Sequence, residues 1–389
     1  MNAVVVIDGE HYVSVVRDAL ASLPYDVIGA YLAGGTEKLR GGEDYGVPLV
    51  EGFEGAEVIV DLSDEPVLAP RERFRLASRA LAAGIPYLGA DFRFDPPSFE
   101  PFALPSVAVI GTGKRVGKTA VTGHIARTLA RHMDVIVVAM GRGGPADPEV
   151  IDAAPTLASL LELSRAGRHA ASDHLETAAL AGVTTIGCRR AGGGLAGAVT
   201  TSNVAEGARL AAERSPDLVV FDGSGAAIPP VAVERRVLVV GPGHDVTAYL
   251  NPYRVLISDL VVLAGGGDSG RVRAVKDVPV VEAQLVLRPV APLHGRRVAV
   301  FTTGPAPIAH LDAEIVFVSR NLANRKLLRQ DLEHANGEVF LVELKAAAID
   351  VVAEAAAARG VELVLAANDV VSAALDEQLA ALASVAANV

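Results

Sequence analysis

The run Gly111-Thr112-Gly113-Lys114-Arg115-Val116-Gly117-Lys118-Thr119 carries the strongest chemical signal in the sequence. It follows an apolar stretch at 106–110 and opens a helical pattern at 118–131, the strand–loop–helix setting of a phosphate-binding loop. In such a loop, successive backbone N–H groups and the helix N-terminus face phosphate oxygens. Gly117 lets the backbone come close, Lys118 reaches the β- and γ-phosphates, and the Thr119 hydroxyl is a ligand for Mg²⁺. The run is therefore assigned to a nucleoside triphosphate. The spacing departs from the usual one: Thr112 stands where a glycine is expected, and Gly111 comes one position earlier. No Asn/Thr-Lys-x-Asp signature for guanine occurs, since Lys276-Asp277 lacks its partners. The expected nucleotide is ATP.

Ligands of wound parallel sheets lie beyond the carboxyl ends of the strands, so the loops there come next. Met140-Gly141-Arg142-Gly143-Gly144-Pro145 follows a strand pattern at 135–139 and offers Arg142 to a transferring phosphoryl group. Asp147 and Glu149 just beyond are candidates for a metal or a proton. Gly187-Cys188-Arg189-Arg190-Ala191-Gly192-Gly193-Gly194 follows a pattern at 183–186. Its two arginines and its exposed N–H groups, Gly193 among them, suit a second polyanion. Asp222-Gly223-Ser224-Gly225 ends an apolar run at 218–221, where an acidic residue holds Mg²⁺ directly or through water. The catalytic set is thus Lys114, Lys118, Arg142 and Asp222, with Mg²⁺ on Thr119 and Asp222. Arg142, Arg189, Arg190, Gly193 and Ser224 are assigned to the anionic substrate. His124, His174 and Glu176 lie on helical patterns, where a His is more often structural than catalytic. His244 and the run Asn251-Pro252-Tyr253-Arg254 are weak candidates for a substrate or base pocket. Cys188 reads as a small core residue.

These loops need a doubly wound, mostly parallel α/β sheet to hold them. The apolar runs at 106–110, 135–139, 183–186, 218–221, 237–240, 260–263 and 278–281 alternate with helical stretches at 118–131, 171–181 and 204–214. Before them, residues 1–103 read as a small α/β domain that ends in the Pro-rich linker Asp95-Pro96-Pro97-Ser98-Phe99-Glu100-Pro101. Residues 104–295 form the nucleotide-binding domain. Residues 296–389 read as a third α/β segment or a sheet extension, with helices at 322–334 and 346–359, a strand at 362–365 and an Ala-rich helical tail from 380. Net charge is −11 over 389 residues, and it is uneven: −9, +2 and −4 in the three segments. The mildly basic middle suits an anionic ligand, and the acidic whole argues against nucleic acid. A single cysteine cannot form an internal disulfide, which fits a cytoplasmic protein. The start lacks a basic n-region, and no apolar run reaches membrane-spanning length. A homodimer is compatible with the sequence, which does not specify it.

The variant GTxxxxGKT resembles the dethiobiotin synthetase and cobyrinate amidase group of P-loop enzymes, in which Thr112 also has a counterpart. Taken together, GTGKRVGKTAV, MGRGGPADPEVI, GCRRAGGGLAG and DGSGAAIPPV resemble the cyclic 2,3-diphosphoglycerate synthetase family over most of the chain. That resemblance implies an N-terminal α/β domain ahead of the P-loop domain, ATP and Mg²⁺ as cofactors, and 2,3-diphosphoglycerate as substrate. It implies a reaction that joins the two substrate phosphates in a cyclic anhydride as ATP becomes ADP and phosphate. The substrate supplies its own oxyanion, because a phosphate ester has a second pKa of about 6, so no activated Ser or Cys is needed. Lys114, Arg115, Lys118, Arg142, Arg189 and Arg190 then answer the crowded negative charge. Two rival expectations stand beside it: a dethiobiotin-type enzyme acting on a carboxylate, and a P-loop ATPase that switches a partner protein.

Overall fold

The computed structural model describes residues 1–386, with side chains through residue 381. The C-terminal helix Ala373–Ala386 accounts for most of the Ala-rich tail, and residues 387–389 lie outside the described residues. The backbone divides into two compact units. Residues 1–98, 245–257 and 270–277 form the first; residues 99–244, 258–269 and 278 onward form the second.

The first unit is built on a five-stranded sheet. Its strands Asp26–Leu32, Asn2–Ile7, Val58–Asp61 and Tyr87–Leu88 run parallel, and Arg93–Phe94 closes one edge antiparallel. The run Asn2–Ile7 is apolar and almost wholly buried, as a strand covered on both faces must be. The inserted helix Asn251–Leu256 packs against helix Pro70–Ala82 and buries Tyr253 and Arg254. Asn251-Pro252-Tyr253-Arg254 therefore belongs to this unit's interior, and the expectation that it edges a substrate or base pocket is corrected.

The second unit is built on a 13-stranded sheet. Its first half has the neighbour order Thr185–Ala191, Val135–Gly141, Leu218–Asp222, Ser106–Gly111, Arg235–Val240, Leu260–Ala264 and Val280–Pro289, all parallel. The apolar strands lie close to where the sequence places them, and all but Arg235–Val240 run further toward their loops, Val280–Pro289 by the most. The expected doubly wound α/β architecture is what the chain forms. The second half comprises Glu362–Val371, Val339–Glu343, Arg297–Phe301 and Glu314–Ser319, also mutually parallel.

The join between these halves decides where the site lies. Val280–Pro289 first pairs parallel with Leu260–Ala264, through residues 280–283. It then overruns that strand and pairs antiparallel, through residues 284–289, with residues 366–371 of Glu362–Val371. The latter has likewise overrun its own parallel neighbour, Val339–Glu343. The carboxyl ends of the two parallel halves therefore face each other across this antiparallel seam. The sequence reading stops these two strands at 281 and 365, so it misses the seam.

Three further elements differ from expectation. Short strand Glu149–Ile151 pairs antiparallel with Thr185–Ala191 where a loop is expected. Strand Glu314–Ser319 has no counterpart among the expected elements. The helix expected from 346 starts as a π-helical turn, Ala348–Ala353, before Glu354–Arg359. Among the described residues, no helix is long and apolar enough to cross a membrane.

Candidate active site

The carboxyl end of the buried strand Ser106–Gly111 delivers the phosphate loop, and helix Lys118–Leu129 carries it away. Gly117 caps that helix with φ +92°, a left-handed conformation. A Cβ at Gly117 would also lie 2.9 Å from Leu285 Cδ1, a distance that real Cβ atoms do not adopt. Arg115 holds φ +59°, so the loop carries backbone strain at a non-glycine residue too. Lys118 is buried along the loop and donates from Nζ to the Gly113 carbonyl at 3.2 Å. Burial lowers its pKa, against the pull of nearby Asp222.

Asp222, at the end of strand Leu218–Asp222, is also buried. Burial raises its carboxyl to about 7, although Lys118 and a 3.0 Å hydrogen bond from the Thr122 hydroxyl both oppose the rise. Thr112, in the atypical loop position, shares a 3.0 Å hydrogen bond between Oγ1 and Nδ1 of His244. This partnership gives both the Thr-for-Gly departure and the weak candidate His244 a place: the ring braces the loop.

A basic cluster gathers round Gly225. A Cβ placed there would lie 3.5 Å from Arg190 Nη2, 3.7 Å from Lys114 Cγ and 3.9 Å from Arg142 Nη2. Arg190 is fixed by its backbone partners, donating to the Ser224 carbonyl at 2.8 Å and to the Gly192 carbonyl. Its Nε is buried with no hydrogen-bond acceptor. Burial lowers the Arg190 pKa, and the neighbouring Arg142 adds to the effect. Gly193 lies alongside, its missing Cβ 3.1 Å from Arg190 Nη1. Such like-charge crowding is unfavourable until an anion enters.

Arg189 does not join this cluster. Successive side chains of a strand point to opposite faces, and Thr185–Ala191 sends Arg190 toward Ser224 and leaves Arg189 exposed on the other face. The adjacent pair read from the sequence is thus split. Glu149 is also elsewhere, its carboxylate paired with Arg168 at 3.0 Å on the surface. His174 is packed under Gly187, bonded to the Ser172 hydroxyl at 3.0 Å, and pushed down to about 4 by burial, a structural role as expected. Cys188 is buried, and burial pushes its thiol up to about 12, so it is no nucleophile.

The cleft between the facing strand ends has a volume of about 1530 Å³. A small-ligand site is usually about 300–1000 Å³, so there is room for a nucleotide and a second ligand together. Residues 114–119, Arg142, Gly223 and Gly225 line one wall. The opposite wall comes from the second half of the sheet: Thr303, Gly304, Pro305, Glu343 and Lys345. Glu343 holds this wall in shape. It accepts from the Thr303 N–H at 2.6 Å and hydroxyl at 3.0 Å, and from the Asn368 amide at 2.8 Å. Asp173 and Glu176, on helix Asp173–Ala181, also face the cleft. Burial pushes Glu176 up to about 8, and Lys345 lies 3.4 Å from its Oε1. Glu176 is therefore a cleft residue, which its helical pattern alone does not show.

A parallel α/β sheet with a lysine-bearing phosphate loop and an acidic residue ending the adjacent strand defines a P-loop nucleotide-binding protein. Three sequence profiles of one family cover this chain: the P-loop domain of cyclic 2,3-diphosphoglycerate synthetase over residues 106–277, its N-terminal domain over 2–95 and its C-terminal domain over 289–369. The cyclic 2,3-diphosphoglycerate synthetase of Rubrobacter xylanophilus is 47% identical, with 99% of this chain and 98% of that one aligned. The synthetases of Thermococcus kodakarensis and Methanothermus fervidus are 40% and 36% identical, covering 95% and 92% of this chain and 94% and 90% of their own. The chain belongs to the cyclic 2,3-diphosphoglycerate synthetase family.

Proposed function

We propose that the protein closes 2,3-diphosphoglycerate to its cyclic phosphoanhydride at the expense of ATP, releasing ADP and orthophosphate. One observation carries the reading beyond family membership. Lys114, Arg142 and Arg190 converge on Gly225 beside the phosphate loop, which suits an acceptor that is itself a polyanion. A dethiobiotin-type carboxylate acceptor calls for less positive charge.

The backbone of residues 111–117 and Lys118 cradle the β- and γ-phosphates of ATP. Arg142 and Lys114 stand between the nucleotide and the acceptor, where charge builds up in transfer. Arg190, with Gly193 and Ser224, holds the substrate phosphates. An oxygen of one substrate phosphate attacks the γ-phosphorus, the bond to the β-phosphate breaks, and ADP leaves. An oxygen of the neighbouring phosphate then attacks the phosphorus of the activated phosphate. The new P–O–P bond closes the ring, and orthophosphate leaves with the bridging electron pair. Both nucleophiles are oxyanions, so the residues need only align them and screen their repulsion.

The donor set fits Mg²⁺. Thr119 and Asp222 offer a hydroxyl and a carboxylate, hard oxygen ligands. Among the described residues, no group of three or more His, Cys, Asp or Glu is gathered to cage a metal, as suits an ion shared with phosphates and water. When bound there, Mg²⁺ supplies charge neutralisation at the phosphate oxygens. The buried single cysteine suits a reducing compartment, and we place the protein in the cytoplasm on that ground.

The test is ADP release with 2,3-diphosphoglycerate as the varied acceptor. Release that saturates with the diphosphoglycerate and vanishes in Lys118→Ala supports the reading. Release indifferent to it, or driven equally by a dicarboxylate, refutes the reading.

A further inference from the structure

The wall of the cleft opposite the phosphate loop carries its own cation. Lys345 follows strand Val339–Glu343 at the carboxyl end of the second half-sheet. Its side chain is 28% exposed, into the cleft, and its Nζ rests 3.4 Å from Glu176 Oε1. Glu343 and Asp173 also act on it: burial alone would lower its pKa, and these carboxylates with Glu176 outweigh that and raise it, so the ammonium stays charged. Its charge is felt at Lys118 and Asp222 across the cleft. The backbone is bent to place it. Ala346, next in the chain, has φ +47°, and the π-helical turn Ala348–Ala353 follows at once. Left-handed alanines and π-helical turns are costly and concentrate at functional sites.

We infer that Lys345 is a catalytic residue of phosphoryl transfer, contributed by the C-terminal half of the sheet, which leaves Glu176 to donate to the γ-phosphoryl oxygens when ATP is bound. The inference deepens the function proposed above and rests on its phosphoryl-transfer step. Glu176 is the positioning residue: it holds the ammonium at the edge of the empty cleft. Burial raises the Glu176 pKa, so the carboxyl readily takes up a proton when Lys345 turns from it to the polyphosphate. No new bond is made to Lys345; it offers N–H donors to oxygens that gain charge as the γ-phosphorus passes between its two partners.

The experiment compares wild type with Lys345→Met. Affinities for MgATP and MgADP are measured by calorimetry without acceptor, and ADP release is measured with 2,3-diphosphoglycerate. Removing a donor aimed at transition-state charge costs about 100-fold or more in kcat. The preference for ATP over ADP narrows by about tenfold, since only ATP carries the contacted group, and ADP affinity stays within about two-fold. A lysine that merely partners Glu176 would instead lower both nucleotide affinities together, or neither. Lys345→Cys treated with 2-bromoethylamine regains an ammonium at almost the original reach, and Cys188 is buried away from the reagent. Recovery of kcat on that treatment supports the assignment even where Lys345→Met is unstable. A Lys345→Met enzyme that keeps both kcat and the ATP-to-ADP ratio, or a treated cysteine variant that recovers nothing while melting as wild type, overturns it. Should wild type form no cyclic product, the function proposed above fails, and the two nucleotide affinities still decide the case of Lys345.

Discussion

Arg189 and Arg190 are neighbours in sequence and opposites in space, so single substitutions test the site's geometry directly. Arg190 donates to the Ser224 carbonyl at 2.8 Å, keeps a buried Nε–H free of any acceptor and lies beside Arg142 at Gly225. Arg190→Ala removes charge-assisted bonds to a substrate phosphate, worth about 1.5–3 kcal/mol. At about 1.4 kcal/mol per factor of ten, kcat/KM for the diphosphoglycerate should fall about 10- to 150-fold. The loss should sit chiefly in KM, because Arg190 grips phosphate before as well as during transfer. Stability should change little: two backbone contacts are lost, but crowding with Arg142 is relieved. Arg189→Ala removes an exposed side chain from the other face, and its kinetics should stay within about two-fold. The assay is steady-state ADP release at saturating MgATP with the acceptor varied, alongside a thermal melt. Equal losses in the two variants, or a larger one in Arg189→Ala, would refute the face assignment and the anion cluster built on it.

Other outcomes follow from the same geometry. Gly117→Ala meets both a left-handed φ of +92° and the Leu285 methyl 2.9 Å away, so MgATP affinity should drop by about 5- to 30-fold, read by calorimetry. Asp222 titrates near 7 when folded and about 3.9 when unfolded, so the folded form binds the extra proton between those values. Its contribution to stability is therefore present below about pH 4 and lost as pH rises to about 7. Asp222→Asn should flatten that decline in melting temperature measured without ligands over the same window; a difference between variant and wild type that does not change with pH would remove the buried carboxyl from the account.

What could be read in the sequence was local. Residues 111–119 declare their role because strand, loop and helix N-terminus are contiguous, and Asp222 because it ends an apolar run. Arg190 was found by its loop, but the sequence reading grouped it with Arg189 and did not apply the two-residue period of a strand that continues through both. Glu176 is not legible as a cleft residue because a helical pattern shows which side is apolar, not which polar side borders a cleft. Lys345 was missed for a longer-range reason. It comes beside Glu176 only because two half-sheets meet head to head, and that meeting depends on Val280–Pro289 and Glu362–Val371 each overrunning its parallel partner. Their overrun segments, read from burial, are only partly covered, so the apolar signal that marked the other strands fades there. The signal that remained was Glu343-Leu344-Lys345 at the end of an apolar strand, the same carboxyl-end rule that found Arg142.

A phosphate loop and a basic cluster are assigned here to closing an anhydride within one small molecule. Phosphorus NMR of the purified protein with ATP, Mg²⁺ and 2,3-diphosphoglycerate tests it most directly. The two phosphomonoester signals should give way to upfield anhydride signals, with ADP and orthophosphate appearing in equal amounts. Consumption of ATP with both phosphomonoester signals unchanged would contradict it.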